Sequence, residues 1–294
     1  MHFFPRALPV ALWAAAALPC APAMAQDADN AGDTSHADAP ADTAIPSDYL
    51  LVGVGALYQP SYQGSDDQVF SPIAVVQGSY HGIDINPRAR GVAIDLIPDG
   101  KDAKFGVSLG PVAGLSFNRT RNIQDDVVRA AGKLNTAVMF GVSGGVTAYR
   151  LLNPYDSLTL STDVMWDVNA YHGMTWSPSL TYKTPLSKAL VAGVSVRANH
   201  GGGDYSRYYY SVTPEQSAAS GLPEYQAKAG WDSVSAGALL GYDLSGDFTN
   251  GGFAVFGVVN YSAMLNDGKN TPYTALRGKA DQWTVGLGIG YTFR

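Results

Sequence analysis

The sequence has a single cysteine and few charged residues. Cys20 is the one cysteine in 294 residues, and charged side chains make up 15% of the chain. Cys20 follows Pro19, and this pair is a poor fit to a lipoprotein signal, so we expect no lipid anchor. Cys20 lies in a segment that we expect to be removed, and the remaining chain then has no thiol for disulfides or thiolate chemistry. No later stretch has 18 consecutive apolar residues, so the sequence contains no transmembrane-helix pattern.

The N-terminus has the pattern of a secretory signal peptide. Arg6 supplies the positive charge, and the apolar run Ala7–Leu18 is too short to span a bilayer. Ala23–Ala25 is a small-x-small cleavage site. We therefore predict that residues 1–25 are a signal peptide, that cleavage precedes Gln26, and that the protein is exported.

The segment 26–48 has the composition of a disordered acidic leader. It contains six aspartates, no lysine and no arginine. The whole chain has 19 basic and 25 acidic residues, so 18 basic and 19 acidic residues remain outside the signal and this leader. A nearly neutral remainder gives no reason to expect nucleic-acid binding.

The C-terminal segment alternates strictly between two kinds of side chain. One face is apolar and aromatic, and the other is small and polar. The apolar face comprises Trp283, Val285, Leu287, Ile289, Tyr291 and Phe293, and the other comprises Thr284, Gly286, Gly288, Gly290 and Thr292. This period of two predicts a β-strand, and the glycines on one face predict room for neighbouring side chains rather than a nucleotide motif.

Similar alternation recurs along most of the chain. It covers Phe105–Phe117, Ser157–Asn169, Gly173–Lys183, Leu190–His200 and Val234–Leu244. These runs have about 10 to 14 residues, the length a tilted strand needs to cross the hydrocarbon layer. In a soluble sandwich the polar face would be solvent, whereas in a membrane barrel it lines the lumen. The signal peptide and the aromatic residues near strand ends favour an all-β transmembrane barrel, spanning residues 49–294.

The connections alternate between short turns and long loops. The short turns include 98–100, 153–156, 184–187 and 246–250, and the long loops are Asn118–Asn135, Gly201–Gly230 and Leu265–Ala280. Short periplasmic turns and long extracellular loops are typical of outer-membrane barrels. Bacterial barrels usually have an even number of strands, so we split Ile83–Ile97 at Pro87 and predict about twelve, with ten as the alternative. Pro72, Pro111 and Pro178 fall inside predicted strands.

Four segments resemble the MipA/OmpV family of outer-membrane proteins. They are Pro60–Asp66, Tyr209–Ala218, Ser220–Tyr225 and Gly288–Phe293, and the resemblance covers nearly the whole chain from Tyr49. It implies an outer-membrane scaffold that links a lytic transglycosylase (MltA), which cleaves murein, to a penicillin-binding protein, which synthesises it. It brings no catalytic motif, so we predict no enzymatic activity and no cofactor. A small-solute pore and a surface adhesin remain alternatives.

Polar residues on the inward face are candidates for a lumen site. They are Asp95, Asp163, Asp167, Lys183, Arg197, Asn199 and Asp243. Buried charges need partners, so opposite signs are expected to pair across the lumen. A salt-bridged plug and a narrow polar channel both fit this set, and the limited width of a twelve-stranded barrel favours the plug.

Two further sets have candidate binding roles. The first is a tyrosine-rich extracellular loop with Tyr205, Tyr208, Tyr209, Tyr210 and Tyr225, which could contact an external partner or fold over the barrel mouth. The second is the aromatic end of the last strand, Trp283, Tyr291 and Phe293, which we expect the barrel-assembly machinery to recognise, although Arg294 follows it.

The histidines do not form a recognised catalytic or metal-binding motif. No HExxH or paired-histidine spacing occurs, and we predict no metal site. His200 and Asp204, at the outer end of a predicted strand, could activate water if they paired. A flexible polar loop around Gly201–Gly203 is the preferred interpretation.

Overall fold

The structure is a computed structural model that describes residues 48–100 and 103–294. Within these residues the chain forms a closed antiparallel β-barrel. Its twelve strands are β1 Tyr49–Pro60, β2 Gln68–Tyr80, β3 Ile83–Arg88, β4 Gly91–Asp95, β5 Phe105–Ser116, β6 Ala137–Tyr149, β7 Ser157–Asp167, β8 Met174–Pro185, β9 Leu190–Gly201, β10 Gly230–Asp243, β11 Gly252–Met264 and β12 Asp281–Phe293. The predicted signal peptide, and the predicted leader except for Asp48, lie outside the described residues.

The described connections contain only short helices. They are α1 Asp126–Ala130, α2 Gly203–Tyr210, α3 Pro214–Ser220, α4 Asn266–Asn270, α5 Pro272–Ala275 and a 3-10 helix at Phe248–Asn250. Across the part of the chain that the structure describes, no helix has the length and apolar character needed to cross a membrane.

Consecutive strands pair around the wall, and β1 pairs with β12 to close it. The closing register runs from Leu50 opposite Phe293 to Tyr58 opposite Val285. Twelve strands confirm the prediction and exclude the alternative of ten. The boundary between β3 and β4 was wrong by two residues, because Pro87 lies inside β3 opposite Val92 and the turn falls at residues 89–90. Pro87 has no ladder partner on β2, so its missing N–H costs no hydrogen bond there.

The outer wall is apolar, as the alternation predicts. On β12 the odd-numbered side chains are exposed, from Trp283 to Phe293, whereas Gln282 and Thr292 on the other face are buried. Loops 61–67, 117–136, 168–173, 202–229 and 265–280 define a long-loop end, and turns 81–82, 96–104, 150–156, 186–189 and 244–251 define a short-turn end.

Glycines on the inner face of β12 make room for side chains from the two adjoining strands. A Cβ on Gly288 would lie 2.2 Å from Cζ of Phe256, and one on Gly286 would lie 2.4 Å from Cδ2 of Leu57. The same Phe256 ring approaches Gly53 on β1, where a Cβ would be 3.0 Å away. The glycines of β12 therefore leave space for the Phe256 ring, which extends from β11 across β12 towards β1.

Valine at Gly288 should destabilise the barrel, because the Phe256 ring occupies the volume of any added side chain. Overpacking of this kind costs about 1–3 kcal/mol. The urea midpoint in lipid vesicles should fall for Gly288→Val and recover in part when Phe256→Ala is added. Gly193→Val is the control, since a Cβ there meets nothing closer than 3.7 Å. An unchanged midpoint for Gly288→Val would contradict this packing.

Candidate functional site

The long-loop end is covered by a packed cap. One cluster of buried side chains contains Tyr171, Tyr205, Tyr209 and Tyr210 from two different loops, and residues from the ends of neighbouring strands. A second cluster joins Tyr62 of the first loop, Val128 of α1, Val212 and Leu222 beside α3, and Tyr273 of α5. Five separate loops thus share apolar cores above the barrel mouth.

The tyrosines of α2 form the centre of the first cluster. Tyr205 and Tyr209 lie one helical turn apart, so both face inward, and their rings are 4.9 Å apart. The Tyr171 ring meets them edge-on at 5.2 and 5.6 Å. Tyr205, Tyr209 and Tyr210 are each 2% exposed. Burial raises the pKa of these three phenols, so all of them stay neutral at physiological pH.

This position does not fit the predicted contact surface. Three of the five tyrosines have no surface to offer an external partner, because their rings form the core of the cap. The other two are partly buried: Tyr208 accepts the Asn135 N–H at 2.8 Å, and Tyr225 donates to Asp267 at 2.6 Å. Burial and this hydrogen bond raise the pKa of Tyr225 to about 12. The loop folds over the mouth, which was the other interpretation of its sequence.

Arg119 connects the two clusters and was missed by the sequence analysis. It is 1% exposed, and its guanidinium carbon lies 3.8 Å from the centre of the Tyr273 ring. Its Nη1 donates to the Tyr209 carbonyl at 3.4 Å, and its Nη2 to the Gly132 carbonyl at 3.5 Å. An arginine in a long polar loop is normally solvated, so the sequence carries no signal for this contact.

A second arginine ties two cap loops together at the surface. Arg277 donates through Nε and Nη2 to Oδ2 of Asp125, at 3.0 and 2.7 Å, and Asp125 also caps α1 by accepting the Val128 N–H. Burial raises the pKa of Asp125, but the hydrogen bonds from Arg277 and Val128 outweigh it and lower the pKa overall. The carboxylate is therefore ionised whenever the cap is folded near neutral pH.

The inner wall contains a charged cluster around Asp163. Its Oδ2 lies 3.0 Å from Nε of Arg88 and 3.5 Å from Nη1 of Arg197. Ser143 donates to Oδ1 at 2.7 Å and accepts from Nη2 of Arg88 at 3.0 Å. Asp163 and Arg197 were predicted lumen residues. Arg88 and Ser143 were not, although both are needed to describe the cluster.

Three predicted lumen aspartates instead order strand ends. Oδ2 of Asp167 accepts the N–H groups of residues 169–172 at 2.6–3.3 Å. Asp243 accepts the Ser245 N–H at 2.8 Å, and Asp95 accepts the Leu109 N–H at 3.0 Å. These carboxylates satisfy backbone donors where the ladders end, which is a structural task.

The two remaining members of the set differ in environment. Asn199 accepts from Ser177 at 2.8 Å and donates to Ser233 at 3.0 Å, so it bridges three strands. Lys183 alternates with the inward Ser179 on β8 and is exposed. An exposed inward lysine near the short-turn end means that water reaches this part of the lumen.

His200 and Asp204 do not form a catalytic pair. The His200 ring lies 5.7 Å from the Trp176 ring and 5.4 Å from the Trp231 ring, and Asp204 pairs with Arg207 inside α2. Among residues 48–100 and 103–294, no group of three or more histidine, cysteine, aspartate or glutamate side chains is arranged to hold a metal ion.

The short-turn end has an ordered surface built from two neighbouring turns. Asp156 accepts the N–H of Leu151 at 2.7 Å, the N–H of Leu152 at 2.8 Å and the Tyr182 hydroxyl at 2.8 Å. Burial raises the pKa of Asp156, but these hydrogen bonds outweigh it and lower the pKa overall. Leu152 is left 82% exposed at the tip of the turn. Arg150 donates to the Ala103 carbonyl at 3.0 Å and so joins turn 150–156 to turn 96–104.

A cleft of about 170 Å³ lies between these turns. Asp99, Tyr149, Arg150, Pro154 and Tyr155 line it together with Gly100, Ala103 and Asp156. Tyr149 closes one side by donating to Asp99 at 2.5 Å. We call Leu151, Leu152, Tyr155 and this cleft the rim patch. Its exposed leucines and tyrosine surround a polar centre.

A twelve-stranded barrel with an apolar outer wall, short turns at one end and packed loops at the other defines an outer-membrane β-barrel protein. The family model described as MltA-interacting protein MipA matches residues 52–293. The chain belongs to this family, and it is located in the outer membrane. By the usual orientation of such barrels, the long-loop end is extracellular and the short-turn end is periplasmic.

Two relatives agree with this family assignment. The chain is 24% identical over 247 residues to the MltA-interacting proteins of Escherichia coli (strain K12) and Shigella flexneri, covering 83% of this chain and 89% of each relative. It is similar to the COG4313 outer membrane channel from Pseudomonas putida F1, with 11% identity, a TM-score of 0.42, and 88% of this chain and 100% of that chain covered. The outer membrane channel DcaP of Acinetobacter baumannii is similar at 9% identity and a TM-score of 0.31, with 84% and 96% covered.

Proposed function

We propose that the protein is a non-enzymatic scaffold that binds a lytic transglycosylase of the MltA type through the periplasmic rim patch. Membership of the MipA family, and relatives named MltA-interacting protein, support this class of partner. The observation that carries the proposal is the rim patch itself. It is an ordered periplasmic surface with apolar side chains exposed to a compartment that holds murein enzymes.

The chemistry of the rim patch is that of a protein contact. Exposed apolar side chains beside a polar cleft resemble the centre of an interface, in which a few anchors carry most of the binding energy. Asp156 holds Leu152 at the tip of its turn through two backbone hydrogen bonds, so the anchor is already ordered before binding. Asp99, Gly100 and Ala103 of the neighbouring turn widen the surface on one side.

Two further elements complete the proposed scaffold. The predicted leader, residues 26–48, is a long acidic periplasmic segment, and we assign it a second contact with the same partner. A penicillin-binding protein, which the family resemblance implies, is the other enzyme that the scaffold would hold. Together they would bring murein cleavage and murein synthesis to one place at the outer membrane.

The test is recovery of the partner from gently solubilised outer membranes. The tagged protein should enrich an MltA-type transglycosylase over an unrelated barrel, and Leu152→Asp should lower that enrichment roughly 30-fold, as loss of an interface anchor of about 2 kcal/mol does. Leu244→Asp is the matched control, since Leu244 is also exposed at the short-turn end but follows β10. Equal recovery of the transglycosylase with Leu152→Asp and with the unmodified protein would refute the rim patch as its binding surface. A variant without residues 26–48 measures how much of the recovery depends on the leader.

A further inference from the structure

The barrel wall is discontinuous between β2 and β3. Only three residue pairs join these strands, from Gly78 opposite Ile85 to Tyr80 opposite Ile83. Above them, residues 68–77 of β2 pair with β1 on one side and, within the described chain, with no strand on the other. At about 3.3 Å per residue this is roughly 33 Å of open strand edge. Unpaired backbone at membrane depth is tolerated only where it lines water or is covered.

Prolines occur on both borders of this opening. Pro72 lies within the unpaired part of β2, and Pro87 lies in the part of β3 that β2 does not contact. Proline cannot donate to a ladder and is found on strand edges. The sequence therefore does not supply the full set of donors that a closed β2–β3 ladder would use, which indicates a lasting opening rather than a locally frayed pairing.

The inner wall on the β2 side of the opening is apolar. The inward side chains there alternate with the exposed outer ones; they are Leu51, Leu57, Ile73, Val75, Leu239, Phe256 and Val258. Leu51, Leu57, Phe256 and Val258 lie over glycines of β12. Leu239 is 43% exposed although it faces inward, so this sector presents apolar surface to the lumen. A lumen filled only with water would not require such a sector.

The wall on the β3 side carries the charged cluster. If the β2–β3 register continued, Arg88 would be opposite Val75, so the opening lies where the apolar sector ends and the cluster begins. Arg88 instead reaches Asp163 on β7, four strands away around the wall. This ion pair ties the end of the β3–β4 hairpin to the lumen side of β7 rather than to β2.

The cluster carries an excess of positive charge. Two guanidinium groups share the single carboxylate of Asp163, whereas Lys183, nearer the short-turn end, has the carboxylate of Asp84 in its surroundings. The inward acids Asp84, Asp95 and Asp243 lie towards the periplasmic end, where Asp95 and Asp243 accept hydrogen bonds from the strand ends and turns. An anion in the middle of the lumen would therefore meet Arg88 and Arg197.

The cap restricts access from outside the cell. Its two apolar clusters join all the long loops described above the mouth, including the Arg119 contact with Tyr273. A ligand of the lumen must then enter through the opening between β2 and β3 or from the periplasm. The opening faces lipid, because Phe70 and Val76 on β2 point outward and are exposed.

We propose that the lumen binds an anionic amphiphile, with its apolar chain along the β10–β2 sector and its head at Arg88 and Arg197, admitted from the lipid between β2 and β3. An apolar surface with a few convergent polar groups is the usual form of a small-molecule site. This ligand is independent of the proposed scaffold role, which uses the rim patch at the periplasmic surface.

The test uses a palmitate analogue that carries a diazirine in its chain, with the protein in phosphatidylcholine nanodiscs. Photolabelling should map by mass spectrometry to the inward residues Leu57, Leu239 and Phe256 as well as to the lipid-facing wall. The combined substitution Arg88→Gln and Arg197→Gln should lower inward labelling about tenfold, as loss of a charge-assisted contact does. Labelling of the lipid-facing wall should not change and serves as the internal reference.

A disulfide tests the route. Val76→Cys with Pro87→Cys continues the β2–β3 register and, when oxidised, would pull the opening shut. Inward labelling should be lost on oxidation and return on reduction. Val52→Cys with Val76→Cys joins strands that already pair, and should not affect labelling. Labelling that survives oxidation of the first pair would refute the lateral route.

Two other outcomes would overturn the proposed ligand. An amine with the same diazirine chain should not label the inward residues, so equal labelling by the amine would refute an anionic head. Absence of inward labelling by the carboxylate in the unmodified protein would refute the site itself. Phosphatidylglycerol with the same diazirine chain identifies the source of the bound ligand. If it also labels the inward residues, the ligand is a membrane phospholipid; if only the free acid labels them, the ligand is a fatty acid.

Discussion

Alanine at Arg119 is expected to open the extracellular cap while the barrel stays folded. The substitution removes a fully buried side chain, leaves a cavity beside Tyr273, and takes the donors away from the Tyr209 and Gly132 carbonyls. Large-to-small changes at buried sites cost about 2–5 kcal/mol. The loss falls on contacts between loops, so the strand ladders keep their pairing and the cap alone should loosen.

Chymotrypsin added to nanodisc-embedded protein measures this effect. It cleaves after aromatic residues, and Tyr205, Tyr209 and Tyr210 are protected by burial. Cleavage within residues 203–225 should accelerate about 30-fold or more in Arg119→Ala, because proteolysis follows the population of the opened form. Arg121→Ala is the control, since Arg121 lies in the same loop, is exposed and lies over the Phe117 ring rather than in the core of the cap. Equal cleavage rates in the two variants would rule out a structural role for Arg119.

Alanine at Asp163 is expected to destabilise the barrel from within. Its carboxylate is 3% exposed and balances two arginines, so its removal leaves both guanidinium groups close together without a counter-charge. Breaking a fully buried pair costs about 3–5 kcal/mol. The side chains of Arg88 and Arg197 are 19% and 24% exposed to the lumen, so water screens part of their repulsion. We therefore expect the free energy of unfolding of Asp163→Ala to fall by about 2–3 kcal/mol.

Urea unfolding in lipid vesicles provides the measurement, with a double-mutant cycle to isolate the charge. Arg88→Gln should be less harmful in the Asp163→Ala background than in the unmodified protein, because it relieves the repulsion. Asp126→Ala removes one partner of an exposed pair with Arg129 and should change the free energy of unfolding by less than about 1 kcal/mol. Strict additivity of the Arg88 and Asp163 substitutions would show that the two side chains are not coupled.

The strands were predictable because each follows a local rule. Period-two alternation over more than ten residues, as in β12, both identifies a strand and assigns its faces. The short strands β3 and β4 offer too few residues for that rule. Splitting them at Pro87 put Arg88 next to the boundary, where its facing was undefined, and the central arginine of the lumen cluster was missed as a result.

The cap could be predicted only in part, because its contacts join loops that are far apart in the sequence. Arg119 contacts Tyr273 only because the whole chain folds, and no pattern of spacing in the sequence predicts this contact. The helix α3 is different, since Thr213, Pro214 and Gln216 form a capping box with proline at the first turn, a signal that can be read directly. Such a capping box predicts a helix, and so an ordered segment, within the loop.

Pairing of β1 with β12 also determines when this protein can become stable. The seam joins Leu50 to Phe293, so almost the entire barrel sequence must be present before the ring closes. Until then both β1 and β12 present open edges that lipid cannot satisfy, and closure is a slow, non-local step. A chain cut anywhere before β12 would therefore lose far more than one strand, because no shorter ring could form with this register.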